Sequence, residues 1–211
     1  MSSRLRIAVH DFAGHPFQFQ LSRALAARGH TVNHFYFAGD LGPKGRTLRQ
    51  AGDPDTFAIT PLQIGRPYSK ADFVGRWRND SDYGRVASAA LARFRPDVVI
   101  SGNTPLDPQA AILRAAHAGG AAFVDWVQDF YSLAIARILS SRYLGLGRAI
   151  SAYYGAKERA ILAQSDGIVL ISEDFKSFAP DLAARGDEVA VIPNWGALDE
   201  IEVRPKSNPL S

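Results

Sequence analysis

Cysteine is absent from the sequence, which excludes disulfides, thiol nucleophiles and zinc sites with cysteine ligands. Long apolar runs are absent too, and none approaches the ~20 residues that a membrane-spanning helix needs. The stretch 4–9 near the N-terminus, RLRIAV, is too short for a signal peptide, and His10 and Asp11 end it. These absences favour a protein of the reducing cytoplasm.

Two glycine-rich nucleotide-binding motifs are also missing. The dinucleotide fingerprint G-x-G-x-x-G needs three glycines after a first strand, and the loop there contains only Gly14. The phosphate loop G-x-x-x-x-G-K occurs nowhere in the chain. A nucleotide-dependent epimerase or oxidoreductase is therefore a disfavoured alternative, although it stays open at this point.

The sequence has no large excess of charge of either sign. Its 24 Lys and Arg residues nearly balance its 21 Asp and Glu residues and leave a net charge of +3. The sequence also contains no motif of a known nucleic-acid-binding fold. Together with the small excess of positive charge, this argues against binding of nucleic acid. The excess is compatible with phosphate-bearing ligands or with an anionic membrane surface.

The sequence does contain a regular alternation of short apolar runs and amphipathic segments. Its residues are 46% hydrophobic and 21% charged, as expected of one globular domain with a sizeable core. Predicted strands 5–10 and 31–37 flank a helix that begins at Pro16. The predicted apolar face of this helix carries Phe17, Leu21, Ala24 and Leu25. The alternation predicts an α/β fold: a Rossmann-like, doubly wound, mostly parallel sheet of about seven strands with helices on both faces.

The most informative stretch is 157–196, KERAILAQSDGIVLISEDFKSFAPDLAARGDEVAVIPNWG, which predicts helix, strand, helix and strand. Ser172 is the predicted N-cap of the second helix, and Glu173 lies in its first turn, where free N–H groups favour acidic side chains. The predicted apolar stripe of this helix carries Phe175, Phe178 and Leu182. A turn that contains Asn194 then leaves the last strand at its carboxyl end.

This stretch resembles the end of the N-terminal domain in two-domain GT-B glycosyltransferases of the retaining family 4 type. The shared elements are a helix, A-x-S-D-G-I-V-L-I-S-E, a second helix and V-A-V-I-P-N-x-G. Residues 25–32 also match that family's motif L-x-x-x-G-H-x-V. The similarity is strongest to the bacterial exopolysaccharide branch, which includes colanic-acid-type enzymes.

The resemblance implies a Rossmann-like acceptor-binding domain over residues 1–203 and the start of an interdomain linker at 204–211. A donor-binding C-terminal domain would follow, and it is not among these residues. In such enzymes the step at Ser172 and Glu173 and the turn at Asn194 lead towards the interdomain cleft. The chain itself holds no cofactor on this interpretation, because the nucleotide-sugar donor binds the absent domain.

The first candidate site residues lie in loops at the carboxyl ends of predicted strands, where sheets of this type bind ligands. Gly14 and His15 occupy the first such loop, which sits beneath the acceptor sugar in the resembled family. For His15 the alternative is a solvent-exposed loop histidine. Asn103 follows the strand that ends near Ile100, and we expect it to contact the acceptor as well.

Gln128 and Asp129 form the best candidate for chemistry, because they place an amide and a carboxylate directly after a central strand. Sugar hydroxyls need hydrogen-bond partners, and a carboxylate near the attacking oxygen can act as a general base. We therefore expect both residues to bind the acceptor, with Asp129 as the candidate catalytic residue. The alternative is that Asp129 caps the following helix.

Arg76, Trp77 and Arg78 combine an aromatic ring with two cations on one predicted helix. Such a group can rest at a membrane interface or hold a lipid diphosphate. The alternative is a solvated helix face with Trp77 packed into the core. The segment 53–55 has the D-x-D spelling of metal-dependent transferases, but it precedes an apolar run instead of following one. We interpret it as a turn and expect no metal.

The resemblance implies that the intact enzyme moves a sugar from a nucleotide-sugar donor to a lipid-linked or polysaccharide acceptor, in cell-envelope or exopolysaccharide synthesis. Its expected place is the cytoplasm, peripheral on the inner face of the plasma membrane. Alone, the chain is expected to bind acceptor with little or no transferase activity. Alternatively, it is the binding subunit of a split glycosyltransferase and needs a separate donor-binding chain.

Overall fold

The computed structural model describes residues 3–40, 42–66, 73–140 and 145–201 of the chain. The predicted linker at 204–211 lies outside the described residues. All elements and contacts given below belong to the described ranges.

The centre of the fold is one parallel sheet of seven strands in the order β3-β2-β1-β4-β5-β6-β7. The strands are β1 (Arg6–Asp11), β2 (Thr31–Phe37), β3 (Phe57–Leu62), β4 (Val98–Gly102), β5 (Ala122–Val127), β6 (Gly167–Leu170) and β7 (Val189–Val191). The order reverses between β1 and β4, which is the point where doubly wound sheets open a ligand crevice. The predicted fold class and strand number are confirmed.

Helices connect these strands and cover the sheet. The α-helices are α1 (Pro16–Ala27), α2 (Phe73–Phe94), α3 (Leu106–Ala118), α4 (Tyr131–Ser140) and α5 (Leu146–Gln164). The 3₁₀ helices are Glu173–Phe178, Pro180–Glu188 and Leu198–Glu200.

Strand β1 shows why the chain needs helices on both faces of the sheet. Ala8 packs in a core cluster with Tyr83 of α2 and Ile112 of α3. Its neighbour Val9 packs in a second cluster with Ala26 of α1. Because adjacent side chains of a strand point to opposite faces, a strand covered on both sides must be apolar throughout.

The buried face of α1 differs from the predicted one. Phe17 is buried as expected, but Ala24 is exposed. The buried residues of this helix are Phe17, Gln18, Phe19, Ser22 and Ala26. Ser22 is tolerated inside because its hydroxyl lies 2.8 Å from Nδ1 of the buried His34 on β2. The spacing of apolar residues could not predict this hydrogen bond between Ser22 on the helix and His34 on the sheet.

The second helix of the stretch 157–196 is also different from the prediction, because two short 3₁₀ helices replace it. Ser172 is the N-cap, as predicted, and its hydroxyl accepts a hydrogen bond from the Asp174 N–H at 3.2 Å. Pro180 has no N–H to donate, so a continuous helix cannot pass through it. Phe178 is consequently 57% exposed and not part of a buried stripe.

Candidate functional site

The predicted acceptor-binding residues lie at the carboxyl edge of the sheet. Asn103 follows β4, and Gln128 and Asp129 follow β5. These three line one small cavity of about 30 Å³, which has room for a single water. The Asn194 side chain donates from Nδ2 to Gln128 Oε1 at 2.6 Å, so the turn after β7 touches the loop after β5.

A buried carboxylate holds His15 in place beside this loop. Asp11 ends β1 and its side chain is fully buried, whereas the His15 side chain is 36% exposed. The carboxylate accepts hydrogen bonds from the Ala13 N–H at 3.1 Å and from the His15 N–H. It also lies 3.2 Å from His15 Nδ1. Because Nδ1 faces a carboxylate, we assign the proton of the neutral ring to Nδ1, which leaves Nε2 as an acceptor.

The pair also shifts both pKa values. The hydrogen bond to Asp11 raises the pKa of His15, and partial burial opposes this shift only in part. Burial alone would raise the pKa of Asp11, but the hydrogen bonds and charge of His15 outweigh burial and lower it. His15 also stacks on Phe17, with ring centroids 5.4 Å apart. His15 is therefore a fixed side chain at the edge of the sheet and differs from the free loop histidine of the alternative.

The segment after β2 supports the His15 loop from one side. Lys44 donates from Nζ to the Ala13 carbonyl at 3.3 Å and to the Asp40 carbonyl at 2.8 Å. The Gly45 N–H donates to the Gly14 carbonyl at 2.9 Å. Gly14 itself has φ +78°, a conformation that favours glycine. Lys44 and Gly45 therefore brace the candidate site.

We expect Gly45→Ala to destabilise the protein by about 1–3 kcal/mol, as overpacking typically does. A Cβ at Gly45 would lie 2.7 Å from the Cα of Pro16, the first residue of α1. The matched control is Gly52→Ala, because a Cβ at Gly52 meets no atom within 4 Å. Urea unfolding measures both variants. Equal midpoints for Gly45→Ala and Gly52→Ala would show that the close approach does not exist.

Three aromatic rings form a cluster next to His15, and we call it the aromatic cluster. Phe17 lies 5.6 Å from both Trp126 and Trp195, and the two tryptophan rings are 5.9 Å apart. The Trp195 indole donates from Nε1 to Gln20 Oε1 at 2.7 Å, which ties the turn after β7 to α1. Trp195 is 38% exposed, so part of the cluster faces solvent.

The Asp129 carboxylate does not cap α4, the helix that follows its loop. Glu158 of α5 accepts hydrogen bonds from the backbone and hydroxyl of Ser132, in the first turn of α4. Glu158 thus occupies the capping role that the alternative gave to Asp129. Asp129 is exposed.

A buried polar network lies behind this loop and joins β1, β4 and β5. His10 Nδ1 lies 2.9 Å from Ser101 Oγ, and Ser101 donates to Gln109 Oε1 at 2.6 Å. Gln109 Nε2 then donates to Asp125 Oδ1 at 2.8 Å. The other ring nitrogen of His10 is 2.7 Å from the Tyr83 hydroxyl. Because each of these groups is buried and paired, the network fixes the strand ends relative to one another.

Burial dominates the pKa values of this network. It lowers the pKa of His10 to about 4, so the ring is neutral at pH 7. It raises the pKa of Asp125 to about 7, a shift that the Gln109 hydrogen bond opposes and the charge of Glu158 reinforces.

Other predicted residues lie elsewhere. Ser172 and Glu173 begin a 3₁₀ helix, where Glu173 pairs with Lys176 at 2.7 Å. Arg76, Trp77 and Arg78 are all exposed in the first turns of α2. Trp77 is 49% exposed, so the alternative that packs it into the core is wrong. The structure does not bring these residues into contact with the aromatic cluster.

The D-x-D segment is a turn, as predicted. The Asp53 carboxylate accepts hydrogen bonds from the Gln50 N–H and from Arg23 Nε, both at 2.8 Å. Within the described ranges, no group of three or more His, Asp or Glu side chains is arranged to hold a metal ion. No described helix is long and apolar enough to cross a membrane.

Residues 15–195 match the glycosyl transferase 4-like domain. The chain belongs to this family. The match covers His15 itself, both halves of the Gln128–Asn194 contact and all three rings of the aromatic cluster. No curated protein sequence is significantly similar to the chain.

Solved structures of glycosyltransferases share the fold of this glycosyl transferase 4-like domain. Sucrose-phosphate synthase of Thermosynechococcus elongatus superposes with a TM-score of 0.57 at 14% identity, over 91% of this chain and 90% of that one. UGT73P12 of Glycyrrhiza uralensis, complexed with glycyrrhetinic acid 3-O-monoglucuronide, gives 0.56 at 9% identity, over 90% of this chain and 48% of that one. UGT2 of Phytolacca americana, complexed with UDP-2-fluoro-glucose and pterostilbene, gives 0.55 at 11% identity, over 92% and 54%.

At these identities the likeness establishes the fold alone, an α/β domain that is shared with GT-B glycosyltransferases. The chain spans about half the length of the last two structures. The predicted resemblance to family 4 glycosyltransferases is confirmed, whereas the exopolysaccharide branch stays a prediction. Family membership favours a glycosyltransferase over the epimerase or oxidoreductase alternative.

Several residues of the candidate site were not predicted from the sequence of this glycosyl transferase 4-like domain. They are Asp11, Phe17, Lys44, Asp125, Trp126 and Trp195. One available indication was polarity, because Asp11 and Asp125 interrupt strands that must be buried on both faces. The positions of the two tryptophans and of Lys44 had no such indication.

Proposed function

We propose that the chain is the acceptor-binding domain of a glycosyltransferase that moves a sugar from a nucleotide-sugar donor to a lipid-linked or polysaccharide acceptor. The observation that carries the proposal is the aromatic cluster beside amide side chains at the carboxyl edge of the sheet. Ligand sites combine apolar and aromatic walls with a few convergent polar groups, and a sugar offers both an apolar face and hydroxyls.

The polar groups around the aromatic cluster suit hydroxyl recognition. Gln128 Nε2 and Trp126 Nε1 are buried donors that have no acceptor among the described residues. A sugar hydroxyl or a bridging water would satisfy them. In its neutral form His15 supplies an acceptor at Nε2, and on this proposal the exposed Asp129 carboxylate accepts the proton of an attacking hydroxyl. Asp129 is therefore our candidate general base, and His15 binds and orients the acceptor.

On this proposal the donor binds a second domain, and the length of the solved structures with this fold, about twice that of this chain, leaves room for one. The alternative is a split transferase, whose donor-binding domain is a separate polypeptide. An immunoblot of the native protein separates the two. A band near twice 22.9 kDa means one polypeptide, and a band at 22.9 kDa means that the donor-binding chain is separate.

Titration with a panel of mono- and oligosaccharides, followed by tryptophan fluorescence and NMR, tests acceptor binding. We expect Trp195→Ala and Gln128→Ala to weaken binding at least about tenfold, which corresponds to about 1.4 kcal/mol. Trp77→Ala and Gln164→Ala are the matched controls, since both side chains lie away from the aromatic cluster and Gln164 bonds only within its own helix. Equal losses in the controls, or no binding of any saccharide to the unchanged protein, would contradict the proposal.

A further inference from the structure

A second and larger cavity opens between helices α2, α4 and α5, and its wall is mostly apolar. Its volume is about 280 Å³, close to the lower end of the range of about 300–1,000 Å³ for small-molecule sites. The residues that matter here are Arg76, Trp77, Leu106, Tyr131, Ala134 and Ile138. Trp77 and Ile138 stand at its rim, 49% and 59% exposed.

Several polar groups of the wall, the Tyr154 hydroxyl and the carboxylates of Asp107 and Asp80, are already paired within the protein. The Tyr154 hydroxyl donates to Asp107 Oδ2 at 2.8 Å, and Lys157 pairs with the other oxygen of that carboxylate. Asp80 faces Arg76 Nε at 3.9 Å. Most of the rest of the wall, apart from Arg76, is apolar surface, which favours a hydrocarbon chain over a wholly polar ligand.

The mouth of the cavity carries positive charge. Arg76 belongs to the wall and is exposed, whereas the two carboxylates of the wall, Asp80 and Asp107, are paired with Arg76 and Lys157. A guanidinium group has five N–H donors, and the contact with Asp80 engages one side of it. Arginine binds phosphate through charge-assisted hydrogen bonds. An apolar chamber with a cationic mouth fits an amphiphile whose head group is anionic.

The cavity adjoins the candidate site across two shared residues. Leu106 and Tyr131 line both the apolar cavity and the small cavity beneath Gln128 and Asp129. Burial is the main cause of the raised pKa of the Tyr131 hydroxyl. The charge of Asp129 raises this pKa further and the charge of Arg76 lowers it, so Tyr131 lies near both side chains. A molecule with its sugar at Asp129 would therefore reach Arg76 and then the apolar chamber.

We infer that this cavity holds the hydrocarbon chain of an acceptor whose sugar is linked to the lipid through phosphate. The inference rests on the proposed function and narrows it, because it selects a lipid phosphate over a free polysaccharide as the acceptor class. Arg76 binds the phosphate at the mouth, and Trp77 and Ile138 cover the first part of the chain.

Binding of single-chain alkyl phosphates below their critical micelle concentration tests the inference, with quenching of Trp77 by a brominated chain as the readout. Dodecyl phosphate should bind, and inorganic phosphate should not. From hexyl to dodecyl phosphate each added methylene should tighten binding by up to about fourfold, until the cavity is full. Chain-length independence would mean contact with the head group alone and would overturn the inference.

Two variants probe the chamber and its mouth. Ala134→Trp fills the cavity from an exposed position on α4 and should weaken dodecyl phosphate at least tenfold. Its control is Ala160→Trp, an exposed helical alanine of α5 that is not part of this cavity. Arg76→Gln should weaken the binding of dodecyl phosphate at least fivefold. Its control is Arg93→Gln, at the other end of α2. If Ala134→Trp binds normally, or if neutral dodecyl maltoside binds as tightly as the phosphate, the inference is wrong.

Saccharide titration keeps this test separate from that of the proposed function. Gln128→Ala should bind saccharides more weakly and dodecyl phosphate normally. Ala134→Trp should bind dodecyl phosphate more weakly and saccharides normally. If no saccharide binds but dodecyl phosphate behaves as expected, the acceptor proposal fails and the lipid site stands.

Discussion

Replacement of Asp125 by asparagine is expected to stabilise the protein by up to about 4 kcal/mol at pH 8 and by little at pH 4. Burial raises the pKa of this carboxyl from 3.8 to about 7, so the folded state holds the proton more tightly than the unfolded chain does. At about 1.4 kcal/mol per pH unit, such a shift destabilises the folded state by about 4 kcal/mol once the group is ionised. Asparagine is neutral at every pH, and its Oδ1 can still accept the hydrogen bond from Gln109.

The sign of the pH effect follows from the raised pKa. The contribution of Asp125 to stability is fully present below pH 4, declines as the pH rises towards 7 and is constant above that. Urea unfolding at pH 4, 6 and 8 measures the difference between the two proteins. Asp187→Asn, at an exposed carboxylate, is the control and should show no such trend. A loss of stability in Asp125→Asn at pH 8 would mean that the buried carboxylate is favourable and the argument is wrong.

Replacement of Asp11 by asparagine is expected to destabilise the protein by about 3 kcal/mol near pH 5.5, because it removes the charged partner of His15 and weakens three hydrogen bonds. At about 2–4 °C per kcal/mol, the thermal midpoint should fall by roughly 6–12 °C. The pKa of His15 should also drop, since the hydrogen bond to Asp11 is the main cause of its rise. NMR titration of the ring measures that pKa directly.

This destabilisation has a defined pH window. The lowered pKa of Asp11 contributes stability above its usual value near 4, which is lost as the carboxylate gains a proton at lower pH. The raised pKa of His15 contributes stability below its usual value near 6.5, which is lost as the ring loses its proton at higher pH. The gap between the two proteins should therefore be largest from about pH 4 to 6.5 and shrink on both sides.

Glu188→Gln is the matched control for Asp11→Asn. Glu188 makes an ion pair with Arg185 at 2.8 Å, but its side chain is 57% exposed. Exposed pairs contribute less than about 1 kcal/mol, so this variant should unfold close to the unchanged protein. If Asp11→Asn proves equally mild, or leaves the titration of His15 unchanged, the buried pair does not hold the loop as described.

The sequence by itself determined the class of the fold. Seven short apolar runs separated by helical patterns require a parallel sheet covered on both faces, and the structure has that sheet. The sequence also determined the local hydrogen bonds at helix ends and turns. Ser172 caps its helix, Asp53 closes a turn, and the polar loops after β4 and β5 lie at one edge of the sheet. In each case the determining interactions lie within a few residues or follow from strand direction.

Tertiary structure alone decided which side chains form the site. The indole of Trp195 bonds to Gln20 across 175 residues, and Asn194 bonds to Gln128 across 66. Lys44 braces a loop 31 residues before it in the chain. Strand order and helix placement create such contacts, and one sequence carries no periodicity that encodes them. Buried polar groups such as Asp11 remain in the fold because partners brought from elsewhere in the chain satisfy them.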